Sequence, residues 1–180
     1  MNIKDFSTLA VEQQPNQCLE EWKCFLEFVE AYFKNRGITR PIIVELGIEV
    51  NYQKQFYEEF LGAEHIGIDI VERRHPDILG STHDEETLNK LKVKLDGRDI
   101  NLLFIDASHR YEDAKKDYEM YGFLTRNIIA FHDVLHNDPR DKGARVRLLW
   151  EEIMKGENRY TKIVFSLKSS YMGIGVIVKE

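Results

Sequence analysis

Two continuous apolar runs, each ending in an acid and a histidine, constrain the fold of this chain most. The first run, residues 102–105, precedes Asp106 and His109, and the second, residues 128–131, precedes His132 and Asp133. Such runs are typical of buried parallel strands, and residues 111–121 between them are long enough for a crossover helix. If the strands are neighbours, Asp106 and Asp133 lie roughly 5 Å apart at the backbone. The pattern therefore predicts two carboxylates and two imidazoles at one edge of a sheet.

The rest of the chain continues this alternation of strands and helices and then breaks it. Strands are predicted over residues 42–47, 65–70 and 77–80, and helices over residues 52–61, 84–93 and 146–154. Two more strands are predicted at the end of the chain, over residues 160–165 and 172–178. The linker between these last two strands is too short for a crossover helix, so we expect them to be antiparallel.

The N-terminal part of the chain is predicted to be helical. Apolar residues recur at three- and four-residue intervals between Leu19 and Phe33, which indicates an amphipathic helix that packs over the sheet. With 180 residues and 43% hydrophobic content, the chain can bury a full core. We therefore expect one domain over residues 1–180, in which residues 1–40 form an N-terminal helical extension.

Composition argues against several classes of function. The net charge of -6 does not favour a nucleic-acid partner or an anionic membrane, because both require concentrated positive charge. No apolar run approaches the ~20 residues that span a bilayer, and residues 1–6 do not resemble a signal peptide, so we expect a cytoplasmic protein. Cys18 and Cys24 form neither a metal motif nor a disulfide framework.

A set of ordered motif residues links the chain to a known fold. Residues 105–117 contain an Ile-Asp-x-x-His segment followed by Tyr-Glu-x-x-x-x-Asp, and His132 and Asp133 follow later. From Pro41 onward the chain resembles class I S-adenosylmethionine-dependent methyltransferases, especially the small families that include cephalosporin-hydroxylase-like and macrolide-sugar O-methyltransferases. The resemblance implies an α/β, three-layer Rossmann-like sandwich whose mostly parallel seven-stranded sheet ends in an antiparallel hairpin. Dinucleotide-binding dehydrogenases would instead keep the sheet parallel.

The resemblance also implies where S-adenosylmethionine would bind. The implied cofactor-binding residues are Glu45, Gly47, Asp69, Gly80, Ser81, Thr82 and Asp106. Gly47 would let the backbone approach the ligand, and Asp69 would accept hydrogen bonds from the ribose hydroxyls. The family usually has two or three glycines in this turn, whereas here only Gly47 is present, with Asn51 as the candidate substitute because it tolerates a left-handed backbone.

The acidic edge suggests a mechanism for methyl transfer to a hydroxyl of a small molecule. A divalent cation held by Asp106 and Asp133, with His132 as the candidate third ligand, would lower the pKa of the hydroxyl. The resemblance implies that this cation is Mg²⁺. His109, with an ordinary pKa of about 6.5, would accept the proton of the hydroxyl, so Asp106 and His109 are the candidate catalytic residues.

Two other functions stay open. One is a non-catalytic protein that binds S-adenosylmethionine with the same fold, and the other is a metal-dependent hydrolase that uses the same acids and histidines. The remaining histidines His65, His75 and His83 are expected to have no role in the site. Association into a homo-oligomer is also left open.

Overall fold

The computed structural model describes residues 4–15, 17–136, 145–156, 159–167 and 172–179. A seven-stranded sheet with the order β3-β2-β1-β4-β5-β7-β6 forms its centre. The strands are β1 (Ile42–Leu46), β2 (Glu64–Asp69), β3 (Ile78–Leu79), β4 (Ile100–Ile105), β5 (Thr125–Phe131), β6 (Thr161–Phe165) and β7 (Ile174–Val178).

Strand directions agree with the sequence prediction. β1 to β5 are mutually parallel where they pair, whereas β7 runs antiparallel to both β5 and β6. The predicted α/β sandwich with a mostly parallel sheet and a terminal antiparallel hairpin is therefore confirmed. The Asn-Asp-Pro sequence at residues 137–139, which predicts a break in regular structure after β5, lies outside the described residues.

Helices cover both faces of the sheet. They are α1 (Phe6–Gln13), α2 (Leu19–Asn35), α3 (Glu85–Leu95), α4 (Tyr111–Tyr121) and α5 (Val146–Lys155). On one face, α1 and α2 pack on side chains such as Ile43 and Phe104, and on the other, α3, α4 and α5 pack on side chains such as Val44 and Leu103. Adjacent strand residues contribute to different cores because side chains alternate across a sheet. The predicted N-terminal helices thus supply part of one helical layer.

One predicted helix is much shorter in the structure. The helix expected over residues 52–61 contains only a wide π-helical turn, Phe56–Phe60, preceded by two α-helical residues. Glu49 and Asn51 have left-handed backbones, with φ of 44° and 62°. Both residues precede the predicted start, so they keep the turn after β1 out of a right-handed helix but do not account for the shortening. Within the described residues, no helix has the length and apolar character needed to span a membrane.

Candidate active site

The carboxyl ends of the central strands lie side by side and are held there by the backbone. The Gly47 amide donates to the Ile68 carbonyl over 2.9 Å, and the Asp106 amide donates to the Leu46 carbonyl over 2.9 Å. The His132 amide donates to the Ile105 carbonyl over 3.1 Å. Pairing therefore continues one residue beyond the strands, so the loops that follow β1, β4 and β5 leave the sheet together.

A cavity of about 670 Å³ lies over these strand ends. Most of the residues predicted from the sequence line it, namely Gly47, Asp69, Ser81, Thr82, Asp106, His109, His132 and Asp133. They come from the ends of β1 to β5, in a part of the fold where open α/β sheets bind ligands. The structure thus brings into one cavity the residues predicted to bind the donor and the residues predicted to take part in the reaction.

Asp106, His109, His132 and Asp133 form an acid–histidine cluster at one end of the cavity. His109 lies between the two carboxylates, with Nε2 3.6 Å from Asp106 Oδ1 and Nδ1 2.9 Å from Asp133 Oδ2. Nδ1 of His132 lies 3.2 Å from Asp106 Oδ1 and 3.5 Å from Asp133 Oδ1. The four side chains therefore form one charged network that is open to the cavity.

The mutual contacts shift the pKa of every group in this cluster. Hydrogen bonds to Asp106 and Asp133 raise the pKa of His109 to about 10. Burial alone would raise the pKa of Asp106, but the His132 imidazole and hydrogen bonds from both histidines outweigh it and hold the pKa at about 2. The expectation of an ordinary pKa for His109 is therefore corrected: in this arrangement it is an imidazolium at neutral pH.

His132 and Asp133 both face the cavity although they are consecutive. Neighbouring residues of a regular strand point to opposite faces, but β5 ends at Phe131 and Asp133 has a left-handed backbone with φ of 59°. This conformation costs a non-glycine residue of order 1–3 kcal/mol, which the surrounding structure must offset. The turn places both side chains in the cluster. The sequence pattern alone did not indicate this turn.

Asp69 is buried and already engaged at the end of β2. Its carboxylate accepts hydrogen bonds from the amides of Ile48 and Val71, over 3.1 Å and 2.8 Å. Arg74 Nη1 also donates to Asp69 Oδ2 over 2.9 Å and lines the cavity. A ligand hydroxyl at Asp69 would therefore share the carboxylate with Arg74. No signal in the sequence tied Arg74 to Asp69.

Gly47 is required for a reason additional to the one predicted. A Cβ atom at this position would lie 2.4 Å from the Ala107 Cα and 2.4 Å from the Asp106 carbonyl oxygen. Its φ of 82° is also left-handed. The glycine thus allows the loops after β1 and β4 to touch, and it lines the cavity as a consequence.

Two predicted donor-site residues do not line the cavity. Glu45 is fully buried, where its carboxylate meets His65 Nε2 at 2.9 Å and accepts a hydrogen bond from the Tyr57 hydroxyl over 3.4 Å. Gly80 packs closely against Thr87 of α3. A Cβ atom at position 80 would lie only 2.3 Å from Thr87 Oγ1. Because the Glu45 side chain is buried against Tyr57 and His65 and does not line the cavity, the structure does not place it where a ligand in the cavity would touch it. The predicted contact of Glu45 with the donor is therefore corrected.

Further residues at the cavity were missed from the sequence. His83 and the exposed Ile70 line it, and Gln17 donates from Nε2 to Asp106 Oδ2 over 3.2 Å. Gln17 precedes α2 and carries no motif, and its approach depends on how the N-terminal helices pack. The one sequence signal was the position of Ile70, which directly follows Asp69 at the end of β2.

A metal is not indicated by the ligand arrangement alone. In the stretches that the structure describes, no three His, Cys, Asp or Glu side chains are grouped as a metal would require. The chemistry of the cluster nevertheless fits a cation. Two carboxylates flank one imidazole, and the buried Asp133 Oδ1 accepts no hydrogen bond from the residues that the structure describes. Oxygen ligands of this kind are those that Mg²⁺ prefers.

No protein-family model and no curated protein sequence matches this chain. Solved structures do match it. The MycE methyltransferase from the mycinamycin biosynthetic pathway, in complex with Mg and SAH, superposes with a TM-score of 0.66 at 15% identity, over 99% of this chain and 55% of that chain. The chain described here therefore spans about half the length of MycE.

Smaller proteins match over most of both chains. A structure described as a caffeoyl-CoA O-methyltransferase from Staphylococcus aureus has a TM-score of 0.61 at 15% identity, over 97% of this chain and 98% of that chain. An O-methyltransferase from Bacillus cereus in complex with SAH has a TM-score of 0.58 at 18% identity, over 98% and 92%. The fold is thus that of class I methyltransferases, as the sequence resemblance implied.

Proposed function

We propose that this protein is an S-adenosylmethionine-dependent methyltransferase that acts, with the help of a divalent cation, on a hydroxyl of a small molecule. The observation that carries the proposal is the single cavity that joins Gly47 and Asp69 to the acid–histidine cluster. Structures of the same fold containing SAH, and in one case Mg, support this choice of donor and cation.

The donor is proposed to lie along the strand ends with its reactive end toward the acid–histidine cluster. Asp69 would accept hydrogen bonds from the ribose, in exchange for part of its contact with Arg74. The exposed apolar side chain of Ile70 offers a surface for the base, and Ser81 and Thr82 lie on the same side. This placement leaves the end of the cavity beside the acid–histidine cluster for the methyl acceptor.

The acceptor hydroxyl is proposed to bind at Asp106 and Asp133. These carboxylates, with His132 as a third ligand, would hold the cation, which lowers the pKa of a hydroxyl when bound. His109 is the proposed proton acceptor and must first leave its contacts with both carboxylates, since they keep it protonated. Most of the rate would come from holding the two reactants in line. A cytoplasmic location and a small-molecule acceptor are parts of this proposal.

Calorimetry with S-adenosylmethionine and S-adenosylhomocysteine, with and without Mg²⁺, tests the donor site. We expect both ligands to bind. If neither binds under either condition, the proposal fails and a metal-dependent hydrolase becomes the better hypothesis.

A transfer assay tests the reaction. Methylation of a broad panel of alcohols, sugars and phenols is followed by mass spectrometry, and we expect at least one product that depends on Mg²⁺ and is lost on chelation. Binding of the donor without any product would favour the non-catalytic binding protein. Products formed equally in chelator would remove the cation from the mechanism.

A further inference from the structure

The turn between α1 and α2 places a glutamine against the acid–histidine cluster. Gln17 Nε2 donates to Asp106 Oδ2 over 3.2 Å. His109 and His132 both approach the other oxygen of Asp106, Oδ1, with ring nitrogens at 3.6 Å and 3.2 Å. The two oxygens of this carboxylate therefore have different partners: Oδ1 contacts the cluster that opens onto the cavity, and Oδ2 contacts the N-terminal part of the chain.

Only the donating orientation of the Gln17 amide is favourable at this position. The Asp106 carboxylate is ionised at neutral pH, because the two histidines hold its pKa at about 2. The amide oxygen of Gln17 would repel it, whereas the amide nitrogen supplies a hydrogen. Gln17 Oε1 is buried and accepts no hydrogen bond from the part of the chain that the structure describes. A buried acceptor of this kind lowers stability, so the reason for a glutamine here should lie in its contact with Asp106.

Packing on both sides fixes the position of Gln17. After it in the chain, Trp22 of α2 packs on Phe104 of β4, with ring centroids 5.5 Å apart. Before it, Gln13 at the end of α1 donates from Nε2 to Gln55 Oε1 over 2.6 Å. The turn that carries Gln17 is therefore anchored both to β4 and to the segment that follows β1.

The contact with Gln17 restricts how Asp106 can bind a cation. Because Oδ2 accepts a hydrogen bond from Gln17, the carboxylate is held against rotation and presents Oδ1 to the cluster. Binding through one oxygen suits Mg²⁺, which requires a compact and nearly ideal octahedron. Ca²⁺ is larger, takes more oxygen ligands and can bind both oxygens of one carboxylate. A carboxylate that offers one oxygen thus discriminates against Ca²⁺.

We propose that Gln17 is a positioning residue that holds Asp106 for cation binding through Oδ1 alone, and that it thereby makes the site prefer Mg²⁺ to Ca²⁺. This inference rests on the proposed function and adds the origin of cation selectivity. Gln17 does not line the cavity, so it acts through Asp106 and not by contact with the donor or the acceptor.

Calorimetric titrations with Mg²⁺ and with Ca²⁺, without donor or acceptor, measure this selectivity in the absence of turnover. We expect the wild-type protein to bind Mg²⁺ more tightly than Ca²⁺. Gln17→Met has a similar volume but no hydrogen-bond donor, so it frees Asp106 Oδ2. This variant should shift the ratio of the two dissociation constants toward Ca²⁺ by roughly ten-fold, the lower end of the effects typical for residues that orient metal ligands.

Gln13→Met is the matched control. It is the same substitution in the same N-terminal segment, at a glutamine that bonds to Gln55 instead of to the acid–histidine cluster. We expect Gln13→Met to keep the wild-type ratio of the dissociation constants. An equal shift in both variants would show that the ratio reports the packing of the N-terminal segment, and it would overturn the role of Gln17.

Thermal unfolding separates positioning from structural support. We expect Gln17→Met to be as stable as the wild-type protein or more stable, because a buried acceptor without a hydrogen bond is removed. A Gln17 that only supports the fold would show lower stability in this variant and an unchanged cation ratio.

The two levels of the hypothesis fail in different ways. If the wild-type protein binds neither cation, the cation of the proposed function is itself overturned. If it binds both cations but prefers Ca²⁺, or if Gln17→Met keeps the wild-type ratio, only the role of Gln17 is overturned.

Discussion

The molecule contains two groups of acids and histidines that differ mainly in their access to the cavity. The acid–histidine cluster opens onto the cavity, and the side chain of His109 is 45% exposed. Glu45, Tyr57 and His65 form a sealed network instead, in which all three side chains are buried and the rings of Tyr57 and His65 stack with centroids 5.1 Å apart. Similar residue types therefore lie open to a ligand in one place and serve packing in the other.

The difference teaches that residue type does not identify a site at a strand end. Glu45 lies within β1, two residues before the Gly47 turn, so its side chain is buried on one face of the sheet against Tyr57 and His65. Asp106 lies just after β4, where the chain has left the sheet. A shift of one or two residues relative to the strand end decides between a buried pair and a group that a ligand can reach. Four substitutions test this comparison.

The largest effect is expected from Asp106→Asn. Because the open cluster is proposed to bind the cation and the acceptor, activity should fall roughly 100- to 10,000-fold and the response to Mg²⁺ should disappear. The fold should remain, as judged by circular dichroism. Asp99→Asn, at an exposed carboxylate paired with Arg126, is the matched control. A variant that still responds normally to Mg²⁺ would remove Asp106 from the site.

Glu45→Ala should act on stability instead. It leaves His65 and Tyr57 without their buried partner, so the free energy of unfolding should fall by about 3–5 kcal/mol in urea titrations. The affinity of the folded protein for S-adenosylhomocysteine should stay within about two-fold, a change of less than ~0.5 kcal/mol. Weaker binding of S-adenosylhomocysteine at unchanged stability would show that Glu45 contacts the donor, and it would contradict the comparison.

Asp69→Ala is expected to have a smaller effect on the donor. Loss of the carboxylate should weaken binding of S-adenosylhomocysteine by about 1–3 kcal/mol, the scale of a hydrogen bond to a charged group. Calorimetry on the variant and on Asp99→Asn gives the difference. Unchanged affinity would mean that Arg74 keeps Asp69 occupied when the ligand binds.

The smallest effect concerns the pH dependence of stability at Asp117. Its pKa in the folded protein, about 6, lies above the ordinary value of 3.8. Folding therefore favours the protonated form, so the stabilising contribution is complete below pH ~3.8 and is lost as pH rises through about 6. Asp117→Asn should gain up to about 2 kcal/mol relative to wild type between pH 4 and pH 7. Parallel pH profiles in denaturant titrations would contradict this.

Much of the fold was predictable because it depends on local pattern. The unbroken apolar runs identify β4 and β5 as buried strands, and the short final linker identifies the antiparallel hairpin. The helix expected over residues 52–61 was not predictable in its length. Its apolar spacing is helical, but only residues 54–60 are helical in the structure, and the last five of them form a π-helical turn whose limits apolar spacing does not set.

The site was predictable in part for a related reason. Gly47, Asp69 and Asp106 follow strand ends, and parallel strands deliver such residues to one edge. His83 lines the cavity and contacts α4, and Gln17, just before α2, donates a hydrogen bond to Asp106. Neither contact leaves a trace in the spacing of the sequence.

The amino-acid sequence alone determined the succession of strands and helices along the chain, the antiparallel final pair and the edge at which the acids meet. These follow from side-chain periodicity and chain connectivity, which are properties of short segments. Only the tertiary structure decided which acids are sealed and which are open, why Gly47 is needed, and how His109 comes to lie between two carboxylates. These depend on distances of a few ångströms between segments far apart in the chain, and packing, not local pattern, sets such distances.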